Sequence, residues 1–221
     1  MCPVKIGLVA DSLGDVDALE HACDFLIDEK GASRLFFLGG RFNDVDDLLQ
    51  RKREVARGGA AYGDADFLAD VAAFVAKAAE AQKGGVAHKL NKTEAEAYAA
   101  RFARVPDKDS LQYRDPNVPR VLPDMVGDRI AILVHDKADL TREDLEPATF
   151  LVHGAAKEPA VVQIGTRWFV TPGRLSGTAS PSFGMIEQGE KGFSFVAWGF
   201  DGREIKRVPL ALQTKNKMTV R

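Results

Sequence analysis

The side chains of this chain best placed to do chemistry are Asp11, His135, His153 and three cations, Arg41, Lys157 and Arg174. Each lies at or just beyond the end of an apolar run. Asp11 closes residues 4–10, and Arg41 comes after residues 34–38 and Gly39-Gly40. His135 comes after residues 129–134, and His153 after residues 150–152 with Lys157 four positions on. Arg174 comes after residues 168–171 and Pro172-Gly173. In α/β folds, ligands gather beyond the carboxyl ends of the strands, so these are the positions where a site belongs. Arg41, Lys157 and Arg174 together suit a metal-free pocket for a phosphate or nucleotide, because guanidinium and ammonium groups are strong donors to phosphate oxygens. Taken singly, each is a solvated surface cation beside a turn. Only four histidines and two cysteines, Cys2 and Cys23, are present, too few thiols for a disulfide framework or a thiolate zinc site.

The elements that must carry these residues follow from periodicity. Residues 4–10 and 34–38 are continuous apolar runs, read as buried strands. Between them Val16, Leu19, Cys23 and Leu26 recur at helical spacing until Gly31, which makes a βαβ unit. Cys23 falls on the apolar stripe and reads as core, while His21 lies at its polar edge. Residues 43–105 turn helical. Phe67, Phe74 and their neighbours make one apolar face, and Tyr98 and Phe102 another that ends at Pro106. His88 lies in the loop between them. Four prolines over 106–124 mark a loop or extended crossing, so a helical insertion is expected over about 51–124. Further strands are expected at 129–134, 150–152, 160–164, 168–171, 182–186 and 193–200, with turns at Gly165-Thr166 and Asp201-Gly202. The whole reads as a single domain over 1–211 with a polar, basic tail at 212–221.

The order of these segments resembles the calcineurin-like metallophosphoesterases. KIGLVADSLGDVDALE, RLFFLGG, AILVHDKAD and FLVHGAAKEPAVVQIGTRWFVTPGRLSG stand where that family reads, roughly, D-x-H, G-D, T-H-G-H, and G-H-x-H followed by N-P-G-S. The resemblance covers residues 4–50 and about 127–207. It is nearest the branch of small bacterial phosphodiesterases and the retromer scaffold subunit. It implies an α/β fold, a four-layer α/β/β/α sandwich of two mixed sheets. It also implies two divalent metals whose bridging hydroxide attacks phosphorus.

The ligand positions depart from that pattern. Asp11 and His135 match, but Leu13 stands where the first imidazole belongs and Gly40 where the bridging carboxylate belongs. Asp136 and Lys137 replace the Gly-His after His135, and Ala155 and Lys157 replace the last two histidines. No G-N-H segment occurs between residues 50 and 125. Lys157 would repel a cation. No catalytic or metal-ligating set is therefore expected beyond the residual positions Asp11 and His135. Lys157 could instead pair with Asp11, or point to solvent, and His153 reads as a hydrogen-bonded packing residue.

The reading drawn is an inactive member of the fold acting as a protein–protein interaction or scaffold module, without a cofactor. Its contact residues would be Leu13, Phe67, Phe74, Tyr98 and Phe102, with Arg41 and Lys157 on the rim. One alternative is a phosphodiesterase or phosphatase with a reduced site, Mn2+ or another divalent metal held by Asp11, Asp44 and His135, with Asn43 and Asp46 in reserve. The other is a binder of a small phosphate-containing ligand at Arg41, Lys157 and Arg174. A net charge of -2 leaves no field to attract nucleic acid. No apolar stretch reaches a membrane span, so the expected partner is another protein or a second copy. The N-terminus lacks the features of a signal peptide, which points to the cytoplasm, and the alanine- and arginine-rich composition points to a bacterial source.

Overall fold

A computed structural model describes residues 4–39, 41–56, 101–104, 114, 116–117, 119–190 and 192–212. The chain divides into two compact units, Met1–Val45 with Phe102–Arg221, and Asp46–Arg101. Of the second unit the described residues are 46–56, helical throughout, and Arg101.

The first unit is built on two mixed sheets. Strand β1 (Lys5–Val9) leads into helix α1 (Val16–Asp24), capped by the Asp15 carboxylate accepting from the Ala18 amide at 3.0 Å. A π-helical turn, Phe25–Glu29, extends α1 before β2 (Arg34–Phe37), and helix α2 (Phe42–Ala56) starts after it. Then come β3 (Phe102–Arg104), β4 (Val121–Val126) and β5 (Arg129–Val134), followed by a short helix α3 (Arg142–Leu145). The remaining strands are β6 (Phe150–His153), β7 (Ala160–Ile164), β8 (Arg167–Thr171), β9 (Ser182–Gly189), β10 (Gly192–Gly199) and β11 (Glu204–Leu210). The six-stranded sheet runs β11-β10-β9-β1-β2-β3 and the five-stranded sheet β4-β5-β6-β8-β7.

Alternation along the strands makes the layers. Ile6, Leu8, Phe36 and Phe195 from one sheet meet Leu133, Phe150, Val152 and Val170 from the other in one buried cluster. On the far face of the five-stranded sheet, Ile132, Val134 and Leu151 form a second cluster with Ala148, Leu140 and Leu145 from the segment around α3. The far side of β1 and β2 carries buried Val9, Leu35 and Phe37, and α1 buries Leu19, Ala22 and Cys23. This is the expected four-layer α/β/β/α sandwich, and its parallel pairs β1–β2, β5–β6 and β6–β8 point their carboxyl ends at one rim.

Phe102 requires a correction. The spacing from Tyr98 suggests a helical face, but Phe102 begins β3, where it pairs in parallel with Leu35. An open edge on β2 offers ladder hydrogen bonds that outweigh a weak local periodicity. Residues 121–124, the end of the span expected to be a helical insertion, lie in β4, which pairs antiparallel with β5. Phe67, Phe74, His88 and Tyr98 lie outside the described residues, as does 213–221.

Candidate functional site

Asp11 follows β1 with a φ of 43°, a left-handed conformation, and its carboxylate is buried with only 3% of the residue exposed. Burying an isolated carboxylate is costly, so it must be paired. Its partner is Arg174, which follows β8: the guanidinium Nε donates to Asp11 Oδ2 at 2.7 Å. The backbone joins in, with the Leu175 amide donating to the Ala10 carbonyl and the Ser176 amide to that of Asp11. Of the two positions open to Lys157, paired with Asp11 or facing solvent, the second is found: Lys157 is exposed, and Arg174 holds the carboxylate.

The next residues are ordered by a second buried carboxylate. Asp44, in the first turn of α2, is 1% exposed and accepts through Oδ2 from the Ser12 hydroxyl at 2.6 Å and from the Gly14 amide at 2.7 Å. Arg41 Nε lies 3.7 Å from Asp44 Oδ1, with two thirds of the Arg41 side chain exposed. These two bonds clamp the turn between β1 and α1, inside which Leu13 adopts a φ of 53°. A left-handed residue with a Cβ costs roughly 1–2 kcal/mol, so the turn persists only because its surroundings dictate it. Leu13 consequently stands 48% exposed at the rim, against Gly177.

His135, beyond β5, directs Nδ1 to the Leu38 carbonyl at 2.9 Å. The approach is close enough that a Cβ on Gly39 would lie 1.9 Å from that nitrogen. A Cβ on Gly154 would lie 2.0 Å from the Leu38 oxygen, and the amides of Gly154 and Ala155 both donate to the His135 carbonyl. Glycine is needed at both places because β2, β5 and β6 converge there.

These donors do not fit a dinuclear metal centre. Asp11 Oδ2 is taken by a guanidinium, Asp44 is engaged by a hydroxyl and an amide, and Leu13 offers only hydrocarbon where an imidazole would serve. Asn43 and Asp46 are exposed on α2. Among the described residues no group of three or more His, Cys, Asp or Glu side chains comes together as ligands.

His153 differs from expectation. Among the described residues its buried Nδ1 has no hydrogen-bond partner. Burial, and then the nearby Lys137 cation, push its pKa down from 6.5 to about 4, with Asp136 opposing. The unfolded chain takes up a proton near 6.5 and the folded one resists until about 4. His153 therefore contributes stability that is complete above pH 6.5 and lost as pH falls toward 4. A loss of about 1–2 kcal/mol is expected after screening by solvent. Replacing His153 with Gln should flatten the decline of melting temperature over that window, and an unchanged slope would assign the decline to other groups.

The sequence indicated Asp11, Arg41, His135 and Arg174 but missed Ser12 and the structural task of Asp44. Asp44 stands four positions before Leu48, on what would be one helical face, and that spacing was the available signal.

No family model matches the chain, and no curated protein matches it in sequence. Solved structures do match. YfcE, a phosphoesterase from E. coli, superposes with a TM-score of 0.57 at 16% identity, over 94% of this chain and 100% of that one. A predicted phosphoesterase from Streptococcus pneumoniae gives 0.53 at 13% identity, over 94% and 98%. Vacuolar protein sorting 29 from Cryptosporidium parvum gives 0.52 at 13% identity, over 93% and 96%. The chain therefore has the metallophosphoesterase-like fold, shared by proteins named for hydrolysis and by one named for sorting.

Proposed function

We propose that this chain is a non-hydrolytic protein of the metallophosphoesterase-like fold that works by holding another protein. The observation that carries the reading is the Arg174 guanidinium 2.7 Å from the Asp11 carboxylate. The charge that a metal ion would neutralise is neutralised from within the chain, and of the other ligand positions only His135 keeps its type, while Leu13, Gly40, Lys137, Ala155 and Lys157 replace the rest. The resemblance to the branch that includes the retromer scaffold subunit supports a binding role, and the fold is shared with vacuolar protein sorting 29. The rim around Leu13, with Arg41 and Lys157, is the proposed contact surface, because it combines an apolar side chain with exposed cations.

Bis-p-nitrophenyl phosphate with Mn2+ tests the first half. Turnover is expected to stay at the background of the Asp11→Ala variant. Manganese-dependent turnover that Asp11→Ala abolishes would instead establish the reduced-site hydrolase. Affinity purification tests the second half. A partner retained by the wild type is expected to be released by Leu13→Glu, and the absence of any retained partner would contradict the scaffold reading.

A further inference from the structure

The two sheets end in four edge strands among the described residues: β11 and β3 on one, β4 and β7 on the other. Exposed edges invite pairing with other chains, and natural proteins blunt them with charges, prolines or brevity. Three of these edges are blunted. Strand β11 carries Lys206, Arg207 and Pro209, β4 carries Pro123 and Asp124, and β3 is only three residues long. Strand β7, Ala-Val-Val-Gln-Ile, has no charge and no proline.

Its outer face is also apolar. Val161 turns inward to the core between the sheets, while Val162 and Ile164 are 53% and 59% exposed. They are two of the five exposed large hydrophobic residues among the described residues. Phe169 of β8 pairs with Val162 on the same face.

We infer that β7 is a self-association edge and that its occupant is the β7 strand of a second copy, antiparallel across a two-fold axis. The argument for a copy is charge and register. An axis through Gln163 sets each Val162 opposite the other chain's Ile164, so four apolar side chains meet on one face. No like charges oppose one another. The same operation on β11, with the axis through its central Arg207, would set that arginine against its own copy. The pairing is isologous and closes at two chains, joining the two five-stranded sheets into one. One strand pair lies at the small end of stable interfaces, so a dissociation constant on the order of micromolar or weaker is expected. The inference is independent of what the rim around Asp11 does.

Sedimentation of the full chain over a range of concentrations tests it. A monomer–dimer equilibrium is expected, abolished by Val162→Lys and retained by Met125→Lys, a control on the opposite edge of the same sheet. A chain that stays monomeric throughout would overturn the inference, including one that pairs only with an added β-strand peptide. A dimer that survives Val162→Lys would also overturn it. Should that variant misfold, hydrogen exchange on the wild type decides. Protection of the 161–164 amides that rises with concentration supports the pairing, and exchange independent of concentration refutes it.

Discussion

Arg174→Ala is expected to lower stability by about 3 kcal/mol, because it strips the one ion-pair partner found among the described residues from a buried carboxylate. In a chain of this size that is a fall in melting temperature of about 6–12 °C. The Asp11 side chain is 4% exposed and that of Arg174 29%, so the pair is sheltered mainly from the carboxylate side. Removing the cation leaves the anion stranded, which costs more than the bond itself was worth. The double variant Asp11→Ala, Arg174→Ala is therefore expected to be less destabilised than the two single losses summed. A coupling of about 1–3 kcal/mol, read from a thermal double-mutant cycle, supports the pair. Additive losses would mean that Asp11 and Arg174 act separately and that the guanidinium is not its counter-ion.

Asp44→Ala should cost a comparable amount, about 3 kcal/mol, for a different reason. It removes two short charge-assisted bonds at once and leaves the Ser12 hydroxyl and Gly14 amide without their acceptor. The left-handed Leu13 then has nothing to hold it, and the turn between β1 and α1 should relax. Amide exchange at residues 12–14 is expected to accelerate along with the loss of stability. Asp44→Asn keeps one acceptor oxygen and should lose about half as much. A loss below about 0.5 kcal/mol for Asp44→Ala would remove Asp44 from this structural task.

Both results concern residues whose importance the chain only partly advertises. The strands were legible because residues 4–10 and 34–38 are unbroken apolar runs, and the layers followed from their alternation. The strand-end positions of Asp11, His135 and Arg174 followed in turn. The pairing did not. Asp11 and Arg174 are 163 positions apart, and no periodicity chooses Arg174 over Lys157 when both follow strand ends. Phe102 misled for the opposite reason, since a short helical spacing was overruled by an edge that only the folded sheet provides. His153 was legible as a packing residue, but that its Nδ1 lacks a partner among the described residues is a fact of packing alone.

If the Arg174 guanidinium stands in for a metal ion at the ends of these strands, the chain should hold no stoichiometric metal. Elemental analysis of the full chain, purified without chelators and then dialysed against Mn2+, tests it most directly. The account predicts manganese, iron and zinc well below one ion per chain. A stoichiometric metal that is lost on Asp11→Ala would contradict it.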